Sequence, residues 1–133
     1  MISKEEKRVY NRVYMKEYKK KYLERLKLDS IRYKEYCEKQ KGYRVRSRWE
    51  VLSVYSEGDL SCKCCGEKEY KFLTIDHINN DGAEERRRYS TARSGGGWFY
   101  ALKKRGYPKG YQVLCYNCNC AKGRYGICPH QEK

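Results

Sequence analysis

The sequence predicts an α+β fold: a small zinc-stapled domain of two short strands and a helix, preceded by a basic, tyrosine-rich helical extension. Three observations lead there. Two Cys-x-x-Cys pairs, Cys62/Cys65 and Cys115/Cys118, stand about fifty residues apart and match the spacing by which two thiolates in one turn face one ion. Two short apolar runs, at 72–75 and 113–114, lie between the pairs and suit strands. Before them, residues 1–41 hold neither Pro nor Gly, and Tyr10, Tyr14, Tyr18 and Tyr22 recur every four residues along one side of a helix.

Composition sets the frame. At 133 residues there is room for one small domain plus an extension. With 36% charged residues a core of Leu, Ile, Val and Phe alone is thin, so a staple is expected. Tyrosine, at 15 copies, is by far the commonest aromatic; its ring covers apolar surface while its hydroxyl stays wet. The formal net charge of +14 is uneven: residues 1–48 carry 17 Lys/Arg against 7 Asp/Glu, and residues 49–133 carry 14 against 10. That asymmetry calls for a polyanion reached mainly through the N-terminal part. Nucleic acid fits better than a membrane surface, because the basic segment lacks the wide Leu/Phe/Trp face of interfacial helices. No signal-peptide pattern opens the sequence, and no apolar run approaches the roughly 20 residues of a membrane span.

Taken in order, residues 1–48 read as helix, with Asp29 or Ser30 closing a first segment and capping a second that carries Ile31, Tyr33 and Tyr36. This extension is read as a domain of its own, 1–48. It reads as a solvated amphipathic helix packing its tyrosines on the C-terminal domain and as a basic arm laid on DNA with Lys16, Lys19 and Lys20 among its phosphate contacts, two readings that can both hold on different faces. At 43–48 the alternation of Arg44, Arg46 and Arg48 suggests an extended linker or groove-binding strand. The second domain, 49–133, opens with a short amphipathic helix over 49–55, broken by Ser56-Glu57-Gly58-Asp59.

Next comes Cys62-Lys63-Cys64-Cys65-Gly66, the form of a zinc knuckle, in which glycine permits the left-handed turn that aims amides at the thiolates. A strand over 69–78 ends at Asp76-His77, and Asn79-Asn80-Asp81-Gly82 is a turn. Residues 83–97 read as loop, with a basic Arg86-Arg87-Arg88 and a flexible Ser94-Gly95-Gly96-Gly97. A short helix over 98–104 stops at Gly106 and Pro108. A second strand, 111–114, leads into Cys115 and Cys118, which open a last helix bearing Asn119 and Lys122. The tail Cys128-Pro129-His130 is too short to fold alone.

Eight cysteines would suit disulfides in a secreted protein, but the Cys-x-x-Cys spacings favour metal. Cys62, Cys65, Cys115 and Cys118 make a closed tetrahedral zinc site, whose binding free energy becomes folding free energy in so small a domain. A rival arrangement, with poorer spacing, uses Cys64, Cys120, Cys128 or His130 as ligands, and the same residues could build a second zinc site.

The run from Cys62 to Gly123 resembles the HNH nucleases of the ββα-metal superfamily. The likeness rests on Cys62-x-x-Cys65-Gly66, on Leu73-Thr74-Ile75-Asp76-His77-Ile78, and on Val113-Leu114-Cys115-x-x-Cys118-Asn119-x-x-Lys122-Gly123. It is most similar to the small HNH endonucleases of phages and mobile introns, and covers a little under half of the chain. The resemblance implies a metal-dependent DNA endonuclease, cutting to a 5′-phosphate and a 3′-hydroxyl. In it, Asp76 and Asn119 hold a catalytic Mg²⁺ or Mn²⁺ and His77 is the general base. One carboxylate and one amide oxygen suit such a hard cation, which keeps positions for phosphate and water. Neutral imidazole, with a reference pKa of about 6.5, takes the proton of the attacking water, so activity is expected to rise with pH. Candidate contacts to double-stranded DNA are Lys16, Lys19, Lys20, Arg44, Arg46, Arg48, Arg86, Arg87 and Lys122. A double-strand break would need a homodimer or two successive nicks. The implied setting is the cytoplasm of a bacterium or phage-infected cell. The sequence departs from the family at Gly110, where a middle asparagine is usual, and this leaves open what positions the His77 ring. Two other readings stay open: a non-catalytic zinc DNA-binding module, and an RNA-binding or RNA-cleaving zinc protein whose tyrosines stack on unpaired bases.

Overall fold

A computed structural model describes residues 3–88 and 96–132. In chain order these form α1 (Lys4–Lys27), α2 (Ser30–Tyr55), a 3₁₀ turn (Tyr70–Phe72), β1 (Leu73–His77), α3 (Gly82–Arg88), α4 (Gly96–Lys104), β2 (Tyr111–Cys115), α5 (Tyr116–Tyr125) and a second 3₁₀ turn (Pro129–Gln131). The fold is α+β, with cysteines clustered as a metal site requires. Among the described residues no helix is long and apolar enough to cross a membrane. The chain divides into two compact units, one ending at Gly42 and the other starting at Tyr43, and α2 runs through the division.

The first unit is held by local terms. Ser3 opens α1 with a capping box: its hydroxyl accepts the Glu6 N–H at 3.2 Å, and the Glu6 carboxylate accepts the Ser3 N–H at 2.7 Å. Two of the amides that a helix start leaves without partners are thereby satisfied. The expected break falls where Asp29 predicted it, for its carboxylate accepts the Arg32 N–H at 3.1 Å at the start of α2. No residue of α1 is buried. Tyr10, Tyr14 and Tyr18 are exposed and stack on one another along the helix, with ring centroids 6.3 and 6.5 Å apart, while Tyr22 meets Tyr36 of α2 edge-on.

The second unit begins inside α2, which corrects two expectations. Residues 43–48 are neither linker nor strand, and 49–55 is not a separate helix, since both belong to α2. The alternating arginines mislead because Arg44 and Arg46 stay in water and so carry no period. The buried residues Ser47, Val51 and Leu52 are spaced as a helix face requires. Residues 83–97 are likewise not all loop. Residues 82–88 form α3, with Glu84 and Glu85 in its first turn and Arg86, Arg87 and Arg88 in its last, the order a helix dipole favours. Helix α4 starts at Gly96, ahead of the expected Trp98. The Ser94 and Gly95 part of the expected flexible run lies outside the described residues.

Strands β1 and β2 pair antiparallel in the register Leu73↔Cys115, Ile75↔Val113, Asp76↔Gln112 and His77↔Tyr111. Helix α5 follows β2 without a linker and packs on both strands, so the order is strand, strand, helix. The core is small: Val51, Leu52, Leu73, Ile75, Leu102, Val113 and Leu114, extended by the buried thiols of Cys62, Cys115, Cys118 and Cys128. Successive side chains of a strand face opposite ways. Asp76 therefore faces Gln112 on one side of the sheet, and His77 faces Tyr111 on the other.

Candidate metal centre and acid–imidazole site

The knuckle after α2 is shaped by Gly66, whose φ of +77° lies in the left-handed region and whose N–H donates to the Cys62 carbonyl at 2.9 Å. Across from it, Cys115 caps α5, its sulfur accepting the Cys118 N–H at 3.5 Å. These two turns bring Cys62, Cys65, Cys115 and Cys118 together with all four sulfurs within 4.8 Å of one another. Cys65 and Cys115 Sγ are 3.7 Å apart. That is far beyond a disulfide bond of about 2.05 Å. It equals the edge of a tetrahedron of roughly 3.8 Å that zinc–sulfur bonds of about 2.3 Å generate. The donor set thus fits a structural zinc.

A second group sits beside the first. Cys64, Cys118, Cys128 and His130 also bring their ligand atoms within 4.8 Å of one another. His130 Nδ1 lies 3.4 Å from Cys118 Sγ and 3.5 Å from Cys128 Sγ. Of the rival ligands read from the sequence, Cys64, Cys128 and His130 are brought together and Cys120 is not, being exposed and outside both groups. The shared Cys118 has no signal in the spacing, because the tail returns to it only through the fold. So many sulfurs resist ionising together. Burial pushes the Cys64 thiol up to about 11, and burial with four cysteine neighbours pushes Cys118 well above the ordinary thiol range. Burial also opposes ionisation of Cys62, but amides of Cys65, Cys115 and Cys64 outweigh it and bring that thiol down to about 7.

The Asp76-His77 pair ends β1. Asp76 is buried, at 6% exposure, yet it is not isolated. Gln112 Nε2 and Lys122 Nζ donate to the same oxygen, Oδ2, at 2.7 and 2.9 Å. Lys122 also donates to the His77 carbonyl at 2.6 Å and to Asn80 Oδ1 at 2.8 Å, joining α5 to the end of β1. Oδ1 of Asp76 accepts no hydrogen bond from a described residue. Asn119 is half-buried on α5 one turn before Lys122, hence on the same side of that helix.

His77 is held from four directions. Its Nε2 lies 2.6 Å from Glu85 Oε2 on α3. Trp98 stacks on the ring at 5.5 Å between centroids, and Tyr111 meets it edge-on at 5.0 Å. Gly82 closes the fourth side, where a Cβ would lie 2.9 Å from Nδ1. Glu85 also accepts from Arg105 and from the Tyr111 hydroxyl, each at 2.5 Å. Burial raises the Glu85 pKa, but hydrogen bonds from Tyr111, Arg105 and His77 together pull it below the ordinary value. Burial and the Glu85 carboxylate push the Tyr111 hydroxyl the other way. A cleft of about 240 Å³ opens beside the imidazole, lined by His77, Asp81, Glu85, Arg88, Arg105 and Lys109 among others.

Glu85, Trp98 and Tyr111 answer what positions the ring, and none was singled out for this in the sequence. The helix-start pattern Gly82-Ala83-Glu84-Glu85 was the one available signal, since acids favour a first turn. Gly110, at φ +103°, contributes through its backbone: its carbonyl accepts the Ile78 N–H at 3.0 Å and ties the chain just after His77 to the entry of β2.

Of the expected phosphate contacts, Lys16, Lys19, Lys20, Arg44, Arg46, Arg86 and Arg87 are exposed on α1, α2 and α3. Two others serve the second unit itself. Arg48 is half-buried; one of its guanidinium nitrogens donates to the carbonyls of Tyr70, Lys71 and Leu73, and the group lies over the Tyr70 ring. Lys122 is bound to Asp76 as above. No protein-family model, curated protein or solved structure matches the chain.

Proposed function

We propose that the second unit is a metal-dependent endonuclease of the HNH kind, hydrolysing DNA phosphodiester bonds with His77 as general base. The observation that carries this reading is the setting of the imidazole. Glu85 is held ionised, so it accepts a hydrogen bond and keeps the His77 proton on Nε2. The lone pair then sits on Nδ1, the nitrogen nearest Gly82, where any side chain's Cβ would lie 2.9 Å away and only glycine fits. A neutral imidazole, oriented through one nitrogen and basic at the other, is what proton abstraction from an attacking water needs. The cations Arg88, Arg105 and Lys109 at the cleft suit the phosphates on either side.

Asp76 and Asn119 are the residues that would hold Mg²⁺ or Mn²⁺. Their oxygens suit a hard cation, and Gln112 and Lys122 both bind Asp76 through Oδ2, orienting the carboxylate with Oδ1 remaining. Such an ion supplies charge stabilisation for the phosphate and the leaving oxygen. The exposed Lys and Arg of the first unit would add sequence-independent affinity for the DNA backbone.

The test is cleavage of supercoiled plasmid with Mg²⁺ or Mn²⁺ by the wild type and by His77→Ala, with binding to the same DNA measured alongside. The wild type should cut, and the variant should lose about 10²-fold or more in rate with binding unchanged. Removing residues 1–41 should weaken binding and flatten its salt dependence.

One observation favours a second reading, a zinc-stapled nucleic-acid-binding module without chemistry: Asp76 already has a cation of its own in Lys122. Binding without cutting in either metal, at several pH values and on both DNA and RNA, would establish that reading instead.

A further inference from the structure

The two cysteine groups are not alternatives for one ion, since they share a single member. Cys62, Cys65 and Cys115 belong only to the first, and Cys64, Cys128 and His130 only to the second. Cys118 belongs to both. Two tetrahedral ions with separate ligands need eight, and two ions joined through one thiolate need seven, which is the number present.

We infer that the chain carries a dinuclear zinc centre, in which the Cys118 thiolate bridges a first ion held by Cys62, Cys65 and Cys115 and a second held by Cys64, Cys128 and His130. The distances fit on both sides of the bridge. Zinc–sulfur bonds of about 2.3 Å and zinc–nitrogen bonds of about 2.05 Å give sulfur–nitrogen edges of roughly 3.5 Å. His130 Nδ1 lies 3.4 and 3.5 Å from its two sulfurs. The 3.7 Å edge between Cys65 and Cys115 matches the sulfur–sulfur edge of the first ion. No side chain must leave one ion to serve the other.

The second ion also explains features that the first leaves idle. Cys64, inside the knuckle but outside the Cys-x-x-Cys pair, gains a partner. The tail turn after α5 buries Cys128, whose side chain makes no capping hydrogen bond at the turn it opens, and aims His130 at Cys118. Six thiolates and a neutral imidazole around two dications leave a charge of about −2, the same as four thiolates around one. The second ion therefore adds a cross-link between knuckle, α5 and tail without adding charge.

This inference concerns metal content and does not depend on nuclease activity. The experiment is metal analysis and native mass spectrometry of the full chain, followed by exchange to ¹¹³Cd and one-dimensional cadmium NMR. The expected result is two zinc ions per chain and two cadmium resonances that split each other through the shared sulfur. His130→Ala, at an exposed position, should lower the count from two to one and leave a single unsplit resonance. One ion per chain in the wild type, or two resonances without mutual splitting, would overturn the bridge. So would a His130→Ala chain that keeps both ions. The wild-type count and splitting decide the matter even if the variant loses both ions.

Discussion

The two units hold their helices by opposite means. Helix α1 buries no residue and is maintained by a capping box, stacked tyrosines and the ordinary preferences of Lys, Glu and Arg for helix. The second unit has short strands and short helices that would not persist alone, and it concentrates a few fully buried side chains around the cysteines. Isolated helices are marginal in water, and most helical stability in proteins comes from tertiary packing. Damage to the first unit should therefore be graded and local, whereas damage to the second should be cooperative.

The largest expected effect is loss of metal. Cys118→Ser, or a strong chelator on the wild type, should unfold the second unit, because zinc binding in such sites is worth about 10–16 kcal/mol of folding free energy. Amide spectra should show the resonances of residues 43–132 collapsing while those of α1 persist. A folded, fully metal-loaded Cys118→Ser chain would sink the contrast. Next is the core: Leu52→Ala, at a side chain with no exposure, should cost about 2–5 kcal/mol, and Tyr14→Ala on the exposed face of α1 no more than about 0.5 kcal/mol. Urea denaturation of both variants checks the ratio.

A third prediction concerns Glu85, where several groups converge. Its folded pKa lies below its ordinary 4.5, so its contribution to stability is fully present above that value and is lost as pH falls through the folded pKa. Glu85→Gln should remove this acid-side slope and cost about 1–3 kcal/mol at neutral pH by weakening the bonds from Arg105, Tyr111 and His77. Urea midpoints measured from pH 3 to 7 would show it, and a variant with the wild-type slope would mean that the titrating group lies elsewhere. The smallest effect is at the α1 cap. Ser3→Ala should cost about 1 kcal/mol of helix stability, seen as faster amide exchange in the first turn of α1 and no change in the second unit.

Much of the arrangement was legible in the sequence where chemistry imposes a spacing. The two Cys-x-x-Cys pairs, the glycine at 66, the strand leading to Asp76-His77 and the helix opening at Cys115 all follow from local rules. So does the break at Asp29. The illegible parts depend on what the chain meets after folding. Glu85, Trp98 and Tyr111 surround His77 from three different elements, and none is an unusual residue where it stands. Lys122 resembled one more phosphate-binding cation until α5 carried it to Asp76. Arg44, Arg46 and Arg48 suggested a strand because three charges at alternate positions imitate a period, whereas the residues that decide the helix, Ser47, Val51 and Leu52, are few. The tail ligands stand at an irregular distance from Cys118, so only the return of the chain brings them to it.

The hydrogen bond between Ile78 and Gly110 has a consequence for how this molecule can change over generations. It fastens the two ends of the segment 78–110 at the mouth of the strand pair, so that segment is an insert closed at its base. Lengthening a closed insert is inexpensive, roughly 0.6 kcal/mol for each doubling. The carboxylate side of the sheet, bound to β2 and α5, lies outside it. The segment can therefore change the part of the imidazole's surroundings that α3 and α4 supply, while the strands, Tyr111, the carboxylate and the cysteines keep their places.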